Sequence, residues 1–290
     1  MVATANLKST AKDLFLAPIY IYQGRKVKRD TIRLPEPEGI RYGQVKLMDS
    51  TKSSSADAYV DTDTSTDQGT LKIMVVGDSA AAGVGSQTQQ QALAGRLIPA
   101  LQQQALVNET FAAQFDELSW SVQATTGHTS FDILRRLYIL PKPSQPIDVM
   151  VLSVGVNDTT ANVAVDKWQQ QIQEIIAIAK RKFAVRVLIF SSLPPMAQMP
   201  ALPAPLGNFI GAKASKLDKV LCDICAEYQG VSYMATDFPR MIAEHSNGTP
   251  IDIAVMFASD GFHPSSLMYG YWAQQLAELI TELLTTEQGA

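Results

Sequence analysis

The sequence predicts an α/β fold in which a central, mostly parallel five-stranded sheet is covered by helices on both faces. Two observations carry that prediction. From residue 71 onward, short apolar runs alternate with longer stretches whose apolar residues recur at helical spacing. Several of the runs are continuously apolar, as strands buried on both faces must be. Strand and helix in alternation require crossover connections, and crossovers give a parallel sheet.

Taken in order, residues 1–48 form a basic N-terminal extension with nine basic residues against four acidic ones, a net +5 that leaves −9 for the rest. Within it, Leu14 to Tyr22 is apolar, and Arg25, Lys26, Lys28 and Arg29 follow. The expectation is that this segment docks on the rest of the chain and covers a sheet edge or helix face. The alternative is weak, reversible contact with an anionic membrane surface, where apolar burial and charge attraction act together. Residues 49–70 are rich in Ser, Thr and Asp and nearly free of apolar side chains, so they read as a flexible loop. Residues 71–290 form the main domain. Its strands are predicted at 71–76, 120–124, 147–154, 185–192 and 231–235, and its helices near 88–106, 130–139, 161–182, 208–229 and 265–285.

Composition narrows the function classes. The chain of 290 residues is 46% hydrophobic and carries 28 acidic against 24 basic side chains, a net charge of −4. That balance excludes a wholly disordered or fibrous chain and speaks against a dedicated nucleic-acid binder, which is usually strongly basic on one face. Cys222 and Cys225 sit in a helical stretch with no second ligand pair nearby in sequence, so they read as packing residues. The longest early apolar run is far short of the ~20 residues a bilayer span needs. No small-residue cleavage site follows it, and the expected location is the cytoplasm, possible peripheral membrane contact included.

In a parallel sheet, chemistry belongs at the carboxyl ends of the strands. The first such loop is Gly77-Asp78-Ser79, with Gly83 and Gly85 trailing. A phosphate-binding loop would need a Lys before Ser or Thr, and a dinucleotide fingerprint a third glycine where Thr88 stands; both fail on residue identity. What remains is the Ser79 hydroxyl on a small-residue turn, either a nucleophile open to an incoming carbonyl or a helix cap. On that loop alone the two readings stand level. The chain has three histidines, His128, His245 and His263. His263 has Asp260 three residues earlier, which either reaches back within one turn as the orienting partner of a base or merely caps the turn, and His245 has no comparable partner. Gly127 and Asn157, in the loops after the second and third strands, offer a backbone N–H and a side-chain amide to a developing oxyanion, although either loop taken alone reads as ordinary turn chemistry.

Gly77-Asp78-Ser79 with Gly83, then Gly127, then Gly155-x-Asn157-Asp158, then Asp260-x-x-His263 before the last helix, resemble the SGNH hydrolases, also called the GDSL esterase/lipase superfamily. The resemblance runs from residue 71 to about 285, and it departs from the family at Ala80, where the signature has Leu. It implies a three-layer α/β/α flavodoxin-like fold. It also implies that Ser79 is the nucleophile, His263 the base and Asp260 its orienter, with the Ser79 N–H, the Gly127 N–H and the Asn157 amide forming the oxyanion hole. The implied activity is hydrolysis of a carboxylic ester of short to medium acyl chain through an acyl-enzyme, with no cofactor or metal. The substrate is then a small-molecule or lipid-like ester. An acyltransferase on the same residues is the alternative, and a non-catalytic binding module a more distant one. His128, next to Gly127, and Met196 and Met199, in the proline-rich loop after the fourth strand, are candidates to line the substrate pocket.

Overall fold

The apolar runs at 71–76 and 147–154 become the two innermost strands of a six-stranded sheet in a computed structural model, which describes residues 2–47, 69–236 and 252–286, with side chains from residue 13 onward. In chain order the elements are helix α1 (Val2–Asp30), β1 (Tyr42–Lys46), β2 (Thr70–Gly77), α2 (Ser79–Ala82), α3 (Leu93–Val107), α4 (Glu109–Gln114), β3 (Glu117–Ala124) and α5 (Ser130–Ile139). There follow β4 (Val149–Ser153), α6 (Val156–Thr160), α7 (Val165–Phe183), β5 (Val187–Ser191), α8 (Leu206–Glu227), β6 (Val231–Met234) and α9 (Ser266–Thr286).

The strand order is β1-β3-β2-β4-β5-β6, parallel throughout except for β1, which runs antiparallel to β3 at the edge. Without β1 this is the doubly wound flavodoxin-like order, in which the chain moves outward from β2 on both sides. Val149 to Leu152 of β4 and Leu188 to Phe190 of β5 have no exposed surface, which explains why their sequence is apolar without alternation. Helices α3 and α9 pack together, while α7 packs against both α5 and α8, giving the two outer layers. The reversal of winding puts the carboxyl ends of β2 and β4 side by side, and a crevice opens at such a switch point.

The sheet thus has one strand more than the five the sequence predicts. β1 comes from the N-terminal extension, and Gly43 makes its pairing possible: a Cβ there would stand 2.6 Å from the Trp120 ring on β3. The rest of the extension also contacts the main domain. Tyr20 of α1 stacks on Phe209 of α8 with ring centroids 4.4 Å apart, and the Gln23 amide donates to the Ala204 carbonyl at 2.8 Å and accepts from the Leu206 N–H at 3.1 Å. The outward side of α1 leaves Leu14, Phe15 and Tyr22 exposed at 77%, 83% and 68%. Among the described residues no helix is long and apolar enough to cross a membrane. The loop expected at 49–70 lies outside the described residues except for Gly69 and Thr70, as does His245.

Candidate active site

The loops after β2, β4, β5 and β6 meet at the crevice with the segment that precedes α9. Ser79 opens the short helix α2 directly after β2, where the Asp78 side chain caps the helix by accepting from the Ala80 N–H at 3.1 Å. The capping role therefore falls to Asp78, and the Ser79 hydroxyl points elsewhere, to His263 Nε2 at 2.9 Å. From α9, the Tyr269 hydroxyl donates to the Ala80 and Val84 carbonyls, at 3.0 and 2.8 Å, and fixes this turn against the C-terminal layer. Gly85, at φ 101°, lets the turn approach the histidine loop: a Cβ there would lie 2.2 Å from the Pro264 carbonyl oxygen.

His263 Nδ1 lies 2.5 Å from Asp260 Oδ2. The other carboxylate oxygen accepts the backbone N–H groups of Phe262 and His263, at 2.9 and 3.0 Å. Burial alone would push the Asp260 carboxyl up, but these donors, led by the His263 ring, outweigh it and hold the group below the ordinary carboxylate range. An ionised carboxylate is an acceptor only, so the Asp260 contact keeps the imidazole proton on Nδ1 and leaves Nε2 to accept the Ser79 hydroxyl proton.

Ser79, His263 and Asn157 share a cavity of about 220 Å³ whose far walls are apolar, with Met199, Met256, Met268 and Trp272 among them. Ala80 lines it as well, with a smaller side chain than the Leu of the family signature. The Asn157 Nδ2 donates to the His128 carbonyl at 3.0 Å, which ties the loop after β4 to the loop that carries Gly127. A side-chain amide has two hydrogens, so a second one is left to point at a ligand. Gly127 lies one residue before that carbonyl at φ 84°. The pocket candidates separate: Met199 borders the cavity with Ser79, Met196 is buried at 1% exposure and borders a neighbouring hollow, and the His128 ring borders a hollow formed with α5 residues.

Two further carboxylates support the site, Asp158 from the block that the sequence already shows and Glu36, which the sequence does not single out. Asp158, next to Asn157, is fully buried and accepts from the Ser130 N–H at 3.0 Å and the Ser130 hydroxyl at 2.5 Å. This clamp joins the start of α5 to α6, and burial raises the Asp158 pKa despite the Ser130 bonds. Glu36, from the extension, accepts from the Thr126 N–H and hydroxyl at 2.7 and 2.8 Å and pairs with Arg41 at 2.6 Å, so it braces the Gly127 loop from the far side. Only the contacts between sequence-distant segments reveal these roles.

Asp78 is 2% exposed and accepts from the Ser153 hydroxyl at 3.2 Å as well as from Ala80. Burial pushes its carboxyl up to about 6 from 3.8, against the pull of those donors. Between these two values the folded chain holds a proton that the unfolded chain has lost. The group's contribution to stability is therefore fully present below pH 4, falls as pH rises through 6, and is gone at pH 8. Asp78→Asn removes that loss, so its melting temperature relative to the parent should be higher at pH 8 than at pH 4, by the equivalent of about 3 kcal/mol at most. A difference that does not change with pH would contradict the assignment.

The fold and the aligned Ser79, His263 and Asp260 side chains define a three-layer α/β protein with the geometry of a serine hydrolase. Residues 75–271 match the GDSL-like lipase/acylhydrolase family, and the chain belongs to that family. It is 22% identical over 216 residues to a GDSL-like esterase of Mycobacterium tuberculosis, a match that covers 74% of this chain and 63% of that protein. Among solved structures, the lipase/acylhydrolase from Enterococcus faecalis superposes with a TM-score of 0.50 at 18% identity, covering 73% of this chain and 96% of the other. An alpha/beta hydrolase enzyme from the metagenome of Lake Arreo gives a TM-score of 0.50 at 17% identity, covering 74% and 96%. At these identities the superpositions speak for the shared fold.

Proposed function

We propose that the chain hydrolyses a carboxylic ester of short to medium acyl chain through an acyl-enzyme on Ser79. The observation that carries this reading is the unbroken hydrogen-bonded line from Ser79 through His263 to a buried Asp260, opening into a cavity with apolar walls. Nε2 takes the hydroxyl proton as Oγ attacks the ester carbonyl, and the negative charge on the carbonyl oxygen is met by the Asn157 amide and the N–H groups of Ser79 and Gly127. The protonated imidazole, steadied by Asp260, gives its proton to the departing alcohol. Water then repeats the cycle on the acyl-enzyme and releases the acid. The enclosed Met and Trp walls suit the acyl chain, because thioether side chains adapt to apolar groups of varied shape.

Asn157→Ala tests the oxyanion assignment. It should lower kcat on p-nitrophenyl butyrate by about 10²–10³ with little change in KM, the usual loss for one donor whose bond strengthens in the transition state. A change confined to KM would make Asn157 a ground-state binding residue instead.

The outward face of α1 supports reversible contact with anionic lipid. Its exposed Leu14, Phe15 and Tyr22 are followed by the exposed cations Arg25, Lys26 and Arg29, a pairing of apolar and basic groups that suits a negatively charged interface. Phosphatidylglycerol vesicles should sediment the full chain at low salt and lose it when Phe15 and Leu14 are changed to Ser. Equal sedimentation of parent and variant would remove the helix from that role.

A further inference from the structure

Beside the cavity that holds Ser79 lies a second depression of about 350 Å³, which the mechanism above leaves unused. Its floor is apolar, built from Val27 of α1, Leu206 and Ile210 of α8, and the Phe262 ring. Two cationic side chains, Lys28 and Arg33, stand on it, and among the described residues no carboxylate lines it. Thr160 and Phe262 line both hollows, so one pair of side chains separates them, and Phe262 immediately precedes His263.

An apolar trough with a cationic margin fits a ligand that is apolar along its length and anionic at its end. Ammonium and guanidinium groups both bind carboxylate or phosphate through charge-assisted hydrogen bonds, with the planar guanidinium able to engage two oxygens at once. The two halves of an ester also make different demands. The acyl group stays bonded to Ser79 through the second half of the cycle, and the apolar inner cavity suits it. The alcohol has to leave before water can attack, which requires a route to solvent. Lys28 and Arg33 are both exposed, so the second depression reaches the surface.

Resting on the ester-hydrolase reading above, we propose that this depression binds the alcohol half of the substrate, and that this alcohol ends in an anionic group, a carboxylate or a phosphate. Phe262 and Thr160 form the threshold over which the alcohol chain passes, and Lys28 and Arg33 receive its charged end.

The test uses soluble butyrate esters of ω-hydroxyalkanoates of increasing chain length, each paired with its neutral carboxamide twin, and follows acid release by the full chain at fixed pH and ionic strength. At the matching length, kcat/KM for the carboxylate ester should exceed that of its twin by about tenfold, the effect of one well-made charged hydrogen bond. The ratio should shrink at high salt, fall to about one in the Lys28→Ala/Arg33→Ala double variant, and invert in Lys28→Glu/Arg33→Glu. A ratio of one at every length overturns the proposal, as does a preference that survives the double substitution or that appears only when the carboxylate is placed on the acyl side. A gain that requires anionic vesicles also overturns it, because that traces to the outward face of α1. Calorimetric binding of the free ω-hydroxyalkanoate to the Ser79→Ala chain gives a readout without turnover: it should bind more tightly than the amide, and the added Lys28→Ala/Arg33→Ala changes should abolish the difference. Equal binding of acid and amide by the Ser79→Ala chain sinks this assignment alone, whereas turnover that does not depend on Ser79 sinks the hydrolase reading.

Discussion

Ser79→Ala is expected to lower kcat on short p-nitrophenyl esters by about 10⁵–10⁶-fold, the scale of loss when the serine of a serine hydrolase is removed. On the proposed mechanism the substitution takes away the oxygen that forms the acyl bond while leaving the turn intact. Asp78, not Ser79, caps α2, and the three residues that follow Ser79 in this helix are already alanine. The hydroxyl makes its described side-chain bond to His263 alone, so melting temperature should change little. Turnover and thermal denaturation on the same preparation check both halves. A variant that retains more than a small fraction of parental kcat would place the nucleophile elsewhere.

Asp260→Asn should cost about 10⁴ in kcat, and the cause is the wrong imidazole tautomer rather than a broken loop. An asparagine oxygen can still accept the Phe262 and His263 N–H groups that Asp260 accepts now. Its amide, however, donates toward Nδ1 and drives the ring proton to Nε2, where it faces Ser79 and cannot act as a base. The parent carboxyl is held below its ordinary pKa, so its contribution to stability is present above pH 4 and is lost as pH falls through the folded-state value. The variant should lack that acid-side loss. An activity loss accompanied by a collapse in melting temperature at pH 7 would point to a structural role instead.

How much of this was legible beforehand depended on where the signal lay. The strands with continuous apolar runs and the helix at Ser130–Ile139 were readable, the latter from the helical spacing of its apolar residues, and the structure adds a capping box of Thr129 and Asp132 at its start. β1 was not readable: Tyr42–Lys46 is short, mostly polar and alternates exposed with half-buried residues at an edge, so only its pairing with β3 and the fit of Gly43 over Trp120 define it. The helix predicted at 161–182 is α7, which starts only at Val165 because the chain is extended at Ala164, and the short α6 before it, which carries Asn157, was not readable. The 88–106 prediction divides. There the Gln89 side chain donates to the Pro37 and Ala82 carbonyls, and the chain is extended at Ala92 before α3 begins.

For the site, Ser79, Asp260 and His263 could be proposed from residue type and spacing because their chemistry is rare in combination. Their supports could not. Glu36 reaches Thr126 across 90 positions of sequence and nothing local marks it as different from a surface carboxylate, while Asp158 stands in a recognisable block but its bond to Ser130, 28 positions away, had no local sign. Asp78 is the intermediate case: its place before Ser79 made it visible, but its burial and raised pKa follow from strands β2 and β4 closing around it.

The most direct measurement is fluorophosphonate labelling of the purified chain followed by peptide mapping, since the reagent bonds to a serine only when a neighbouring base activates it and oxyanion donors hold the phosphoryl oxygen. The account predicts a single adduct on Ser79, strongly slowed in the His263→Ala and Asn157→Ala variants. Labelling at another serine, or a folded chain that takes up no label, would contradict it.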